Sequence, residues 1–186
     1  MAVWPFRLNV PAQYRRVLQQ LDRLLDLART PAAFGARAPS VSAWSVAQHV
    51  EHMVRVDRSV IAVFERGLKV TSDESLAGLG RARPHLSARI TLAMGRMPRG
   101  RARSPRAMMP VGREPEALHA ELEGLIQQME GFGGSLDNLA RARWSVEHPV
   151  FGPLDPALWL RFMVVHDRHH LRIIDEILRA ESSSIG

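Results

Sequence analysis

The sequence predicts an all-α protein, a four-helix bundle with a long crossover connection between the second and third helices. Three observations carry that prediction. Four stretches place their apolar residues at helical spacing. No stretch alternates apolar and polar residues between hairpin turns, so no strand is expected. A proline-bearing connection, residues 67–113, separates the second and third stretches. At 186 residues the chain is expected to form one domain, 1–186.

Residues 1–10 read as an irregular lead-in before a first helix from Pro11 to about Ala28, with Val17, Leu18, Leu21, Leu24, Leu25 and Leu27 as its apolar stripe. Thr30-Pro31 ends it, and 31–41 read as loop. A second helix is expected from Ser42 or Ala43 to about Arg66, with Gly67 as its C-cap. Its apolar positions, Val46, Val50, Met53, Val54, Val56, Val60, Ile61, Val63 and Phe64, cover about half the circumference, as for a helix with two neighbours. The 67–113 connection carries Pro84, Pro98, Pro105 and Pro110, with a short helical piece predicted over 85–95. A third helix starts near Glu114-Pro115 and stops at Gly131, followed by a short helix around 135–142 and a loop over 143–154. Asp155-Pro156 opens the fourth helix as N-cap and first-turn proline.

Composition narrows the function. There are no cysteines, which excludes disulfides, a thiolate nucleophile and Cys-ligated zinc or iron–sulfur sites. His, Asp and Glu are left as the strong metal ligands. No signal-peptide core is visible, and no apolar run approaches the ~20 residues of a membrane span, so a cytoplasmic protein with no membrane partner is expected. The net charge of +6 resides in the connection: 67–113 hold ten basic residues and two acids, and the remainder holds 15 against 17. The Arg99, Arg101, Arg103, Arg106 run lacks interleaved aromatics for stacking on bases. Nucleic acid is therefore not the expected partner, and the run reads first as a solvated stretch. Its other reading is a set of donors for an anionic substrate.

The fourth helix carries the candidate chemistry. Trp159, Phe162, Met163, Ile173, Ile174 and Ile177 form an apolar arc, with His166 and His170 four residues apart inside it. Stacked imidazoles at that spacing can share one metal ion, or can be two satisfied core histidines. Asp167, Arg168, Arg172 and Asp175 are expected to face solvent. A third ligand is available in the second helix, where periodicity alone favours His49 over His52. Asp57 falls on the apolar arc of that helix, paired with an arginine from a neighbour or serving the site as a base. His169 is expected beside the site or at the surface, His148 as a loop residue at the entry of the fourth helix, and Trp44 as packing at the entry of the second.

Trp44-Ser45-Val46-Ala47-Gln48-His49-Val50-Glu51-His52, with a histidine eight residues after the tryptophan, resembles the second-helix motif of the DinB/YfiT-like bundle family. His148-Pro149-Val150-Phe151-Gly152-Pro153-Leu154, then Trp159, His166 and His170, resembles that family's C-terminal half. The resemblance implies a three-histidine divalent metal site carried over as His52, His166 and His170, so it selects His52 where periodicity prefers His49. It also implies a small-molecule substrate, permits a homodimer, and points to a transferase or isomerase using a low-molecular-weight thiol, or to a metal-dependent hydrolase. Three imidazoles suit zinc, nickel or iron alike, and leave positions open to activate a water or a thiol. The alternative from another class is a non-catalytic metal-binding or interaction protein of the same fold.

Overall fold

The computed structural model describes residues 8–70, 83–100 and 104–185. Most of the expected lead-in and parts of the arginine-rich connection, Arg101 and Arg103 included, lie outside these residues. The fold is all-α apart from one small hairpin. Helix α1 spans Val10–Ala28, α2 Pro31–Gly35, α3 Val46–Val70, α4 Leu86–Met94, α5 Pro115–Gly131, α6 Leu136–Arg141 and α7 Pro156–Ile185. The long helices α1, α3, α5 and α7 make the bundle. Both α1 and α3 pack against α5 and α7, so consecutive long helices α1 and α3 sit on a diagonal, bridged by α2.

Local chemistry sets the starts of these helices. The Asn9 side chain accepts the Ala12 N–H at 2.9 Å, with Pro11 in the first turn. Asp155 accepts the Leu158 N–H at 2.9 Å ahead of Pro156. Helix α3 begins at Val46, not at Ser42 or Ala43, because Ser45 and Gln48 form a capping box. The Ser45 hydroxyl accepts the Gln48 N–H at 3.2 Å and the Gln48 side chain accepts the Ser45 N–H at 3.0 Å. All nine expected apolar positions of α3 are buried.

Three local expectations are corrected. Pro31–Gly35 is a short helix inside the expected loop, burying Phe34. Val146–His148 and Gly152–Leu154 pair as an antiparallel hairpin, β1 and β2. It is too short to show alternation in the sequence. It is held by His148, whose Nδ1 accepts the Val150 and Phe151 N–H groups at 3.1 Å each while its ring packs on Phe151, Trp159 and Phe162. Gly67 does not cap α3, which runs on to Val70. A Cβ there would stand 2.1 Å from Cζ2 of the buried Trp144, so glycine is required for close approach and not for a turn.

Gly67→Ala gains about 1 kcal/mol of helix propensity. Because it overlaps a rigid buried ring, it is expected to lose about 1–3 kcal/mol net. Urea unfolding checks this, and Trp144→Phe in the same chain should recover part of the loss.

Helix α7 is the central element. It meets α1, α3, α4, α6 and β2, and from Leu158 to Ile177 it is buried on nearly every side. Helix α4, the predicted helical piece of the connection, lies on it with Ala88 and Leu92 buried, and Arg161 Nε donates to the Leu92 carbonyl at 2.9 Å.

Candidate metal centre

The interface of α3 and α7 brings His52, His166 and His170 together. One ring nitrogen of each lies within 4.8 Å of the others, and all three residues are buried. Burial drives the three imidazoles below their ordinary pKa, His166 and His170 well below. Repulsion from neighbouring histidines adds to it for those two, while the Met108 hydrogen bond partly opposes it for His52. At neutral pH the rings are therefore uncharged and their lone pairs are free.

The other nitrogen of each ring is engaged outside the cluster. His52 Nδ1 lies 2.7 Å from the Met108 carbonyl, which can only accept, so Nδ1 carries the proton and Nε2 the lone pair. His166 Nδ1 lies 3.2 Å from Asp167 Oδ1. His170 Nδ1 lies 3.0 Å from His49 Nδ1, and His49 Nε2 lies 3.0 Å from the Ser42 hydroxyl, which also accepts the Trp44 N–H at 3.1 Å. If His170 donates along this line and His49 donates its own Nε2–H to Ser42, both ring N–H groups have acceptors and the His170 Nε2 lone pair is left for the cluster.

His52 Nε2 and His166 Nε2 then face each other at 3.1 Å. With the His166 Nδ1–H given to a carboxylate, no proton lies between these lone pairs, and a cation relieves their repulsion. Without a cation, the contact is satisfied when Asp167 is protonated and donates, leaving the His166 proton on Nε2. Three neutral, buried imidazoles, each with an outer partner able to fix its tautomer, fit a divalent ion.

His49 is buried beside the cluster as a partner of His170, which is why periodicity favoured it. Burial first, then the charges of His52, His169 and Arg99, lower its pKa to about 4. The half-buried Trp44 packs on the site itself, its indole centroid 5.3 Å from His49, 5.1 Å from His52 and 6.3 Å from His170.

Asp167 does not face solvent. It is fully buried, because α7 has neighbours on the side that the helical wheel assigned to water. Asp57 is also fully buried and, among the described residues, has no arginine partner. Its carboxyl lies close enough to that of Asp167 for each to influence the other, although neither Asp57 oxygen has a partner in ordinary hydrogen-bond geometry. Burial holds both carboxyls well above their usual range.

Glu51 had no role in the sequence reading. It is buried, and its carboxylate accepts the N–H groups of Val111, Gly112 and Arg113 at 3.0, 2.9 and 3.2 Å. Arg55, which pairs with Glu51 at 3.2 Å, also donates to the Ala107 carbonyl at 3.1 Å. The last part of the basic connection is thus fastened to α3 beside the cluster. Of the arginine run, Arg99 pairs with Glu176 of α7 at 2.8 Å and Arg106 is exposed.

A family model described as the DinB superfamily matches residues 13–174. No curated protein and no solved structure matches the chain.

Proposed function

The chain belongs to the DinB superfamily, and from that premise we propose that His52, His166 and His170 bind a divalent metal ion in a metal-dependent enzyme, a thiol transferase or a hydrolase. The observation that supports it most is the pair of Nε2 atoms facing each other at 3.1 Å, with outer partners available to both Nδ1 atoms. A bound divalent ion supplies Lewis acidity, lowering the pKa of a water or thiol at its remaining positions. The chain's own residues do the rest. Three neutral imidazoles leave the ionic charge uncompensated, Trp44 and Phe162 pack against the histidine rings, and Met108, Asp167 and His49 orient the ligands. A sequence without cysteine must take any reacting thiol from a small molecule. Zinc, nickel and iron all suit this donor set. Among the described residues no helix is long and apolar enough to cross a membrane.

The test is the metal content of protein purified without a histidine tag, followed by a screen of low-molecular-weight thiols with electrophilic substrates and of hydrolytic substrates. Metal-dependent turnover in either arm supports the reading. Stoichiometric metal with no turnover in both arms leaves a metal-binding protein and removes the enzyme.

His49 is expected to orient a ligand without being one. His49→Ala should keep the full metal stoichiometry while weakening zinc binding about 10–100-fold, the usual cost of losing an outer partner. Competition with a chromophoric chelator measures both quantities. Loss of stoichiometric binding would make His49 a ligand.

A further inference from the structure

We propose that Glu51 is a positioning residue that couples the docking of residues 104–113 to metal affinity. The inference rests on the three-histidine reading and adds a component that the ligands do not contain. Glu51 precedes His52 on α3, and its buried carboxylate gathers three consecutive backbone N–H groups, Val111 to Arg113. Three successive amides converging on one carboxylate form an anion nest. Here the nest belongs to the connection and the anion to the bundle.

The segment fastened in this way has one polar contact with the metal centre, and it is an orienting one. The Met108 carbonyl, three residues before the nest, takes the His52 Nδ1 proton at 2.7 Å and so directs Nε2 into the cluster. Arg55 holds the adjacent Ala107 carbonyl at 3.1 Å and Glu51 itself at 3.2 Å, closing a loop of contacts around His52. Gly112 sits in the nest at φ +83°, a conformation that L side chains rarely adopt. Undocking the segment leaves His52 without its acceptor and its tautomer free. A cation that requires the Nε2 lone pair therefore binds the docked form better, and by linkage must favour docking by the same factor.

The test uses the full chain with zinc as probe, read by chelator competition and by amide hydrogen exchange over 104–113. In the unmodified protein zinc should slow exchange across this segment. Glu51→Ala should lower zinc affinity about 10–100-fold and abolish the zinc-dependent protection of 104–113. Gly112→Ala strains the nest from the connection side, leaves α3 untouched, and should shift both readouts in the same direction even if Glu51→Ala folds poorly. Unchanged zinc affinity in Gly112→Ala and in folded Glu51→Ala, or exchange over 104–113 indifferent to zinc, overturns the coupling. His166→Ala, measured in parallel, separates the two failures. If it binds zinc as the unmodified chain does, the three-histidine site falls and the coupling with it. If it loses zinc while the Glu51 and Gly112 variants do not, only the coupling falls.

Discussion

Replacing His166 or His170 by alanine is expected to abolish stoichiometric zinc binding. The loss should exceed by a wide margin the ~10–100-fold that outer-partner changes cost, because a ligand is removed and not merely its orientation. Each substitution also leaves a void in the buried α3–α7 interface. Affinity must therefore be read on variants shown to be folded by circular dichroism and cooperative urea unfolding. His52→Ala should behave in the same way, although it sits on the other helix. The pattern across the three is the diagnostic, since equal losses from two helices require a shared ion. A chain in which both α7 variants retain full stoichiometry has no such site.

The metal-free protein is expected to lose stability steeply between pH 6.5 and about 4. His49 and His148 have their pKa lowered from 6.5 to about 4, in both cases chiefly by burial. The folded state binds these protons more weakly than the unfolded chain, so unfolding takes up protons throughout that window. The stabilisation is complete above pH 6.5, falls as the pH drops, and is gone once the folded value is passed. Each shift corresponds to about 3 kcal/mol at 1.36 kcal/mol per pKa unit. Two such groups already rival the ~5–15 kcal/mol that holds a typical domain together. His52, His166, His169 and His170 are lowered as well and act in the same direction. The raised carboxyls of Asp57 and Asp167 act oppositely, regaining stability as the pH falls toward the ordinary carboxylate range, and offset part of the loss. Urea unfolding at a series of pH values measures the slope, and His148→Asn should flatten it by one group's share. A midpoint that holds constant from pH 7 to 4.5 would contradict this account of the buried histidines.

Much of this architecture was legible because helical periodicity reports burial directly. The four long helices, the short helix within the connection and the Asp155-Pro156 start all follow from spacing and capping chemistry. What escaped lies where burial has a cause the local sequence does not contain. A wheel for α7 gives Asp167 to solvent, but α7 has neighbours on several sides, so Asp167 is enclosed beside His166 and opposite Asp57. Gly67 reads as a terminator, yet its reason is the Trp144 ring, far away in the chain. The hairpin at 146–154 is too short to alternate.

The site divides in the same way. His166 and His170 declare themselves by their i, i+4 spacing on an apolar arc. Periodicity prefers His49 to His52, because both are buried and a helical wheel reports burial, not which ring nitrogens meet His166 and His170. The motif containing Trp44 and His52 selects His52, whose ring nitrogen lies with those of His166 and His170, while His49 meets His170 from outside that group. Glu51 had a signal available, an acid beside a candidate ligand. Its partners are backbone amides 60 residues and more along the chain, and side-chain patterns do not register a nest of amides.

The central claim is that one ion is held by three imidazoles, and X-ray absorption at the zinc edge of the loaded, untagged protein tests it most directly. The account predicts one zinc per chain with three imidazole nitrogens at about 2.0–2.1 Å, the usual Zn–N distance, and the loss of that imidazole signature in His166→Ala. A shell of oxygen atoms without imidazole scattering, or an imidazole shell that survives His166→Ala unchanged, would contradict it.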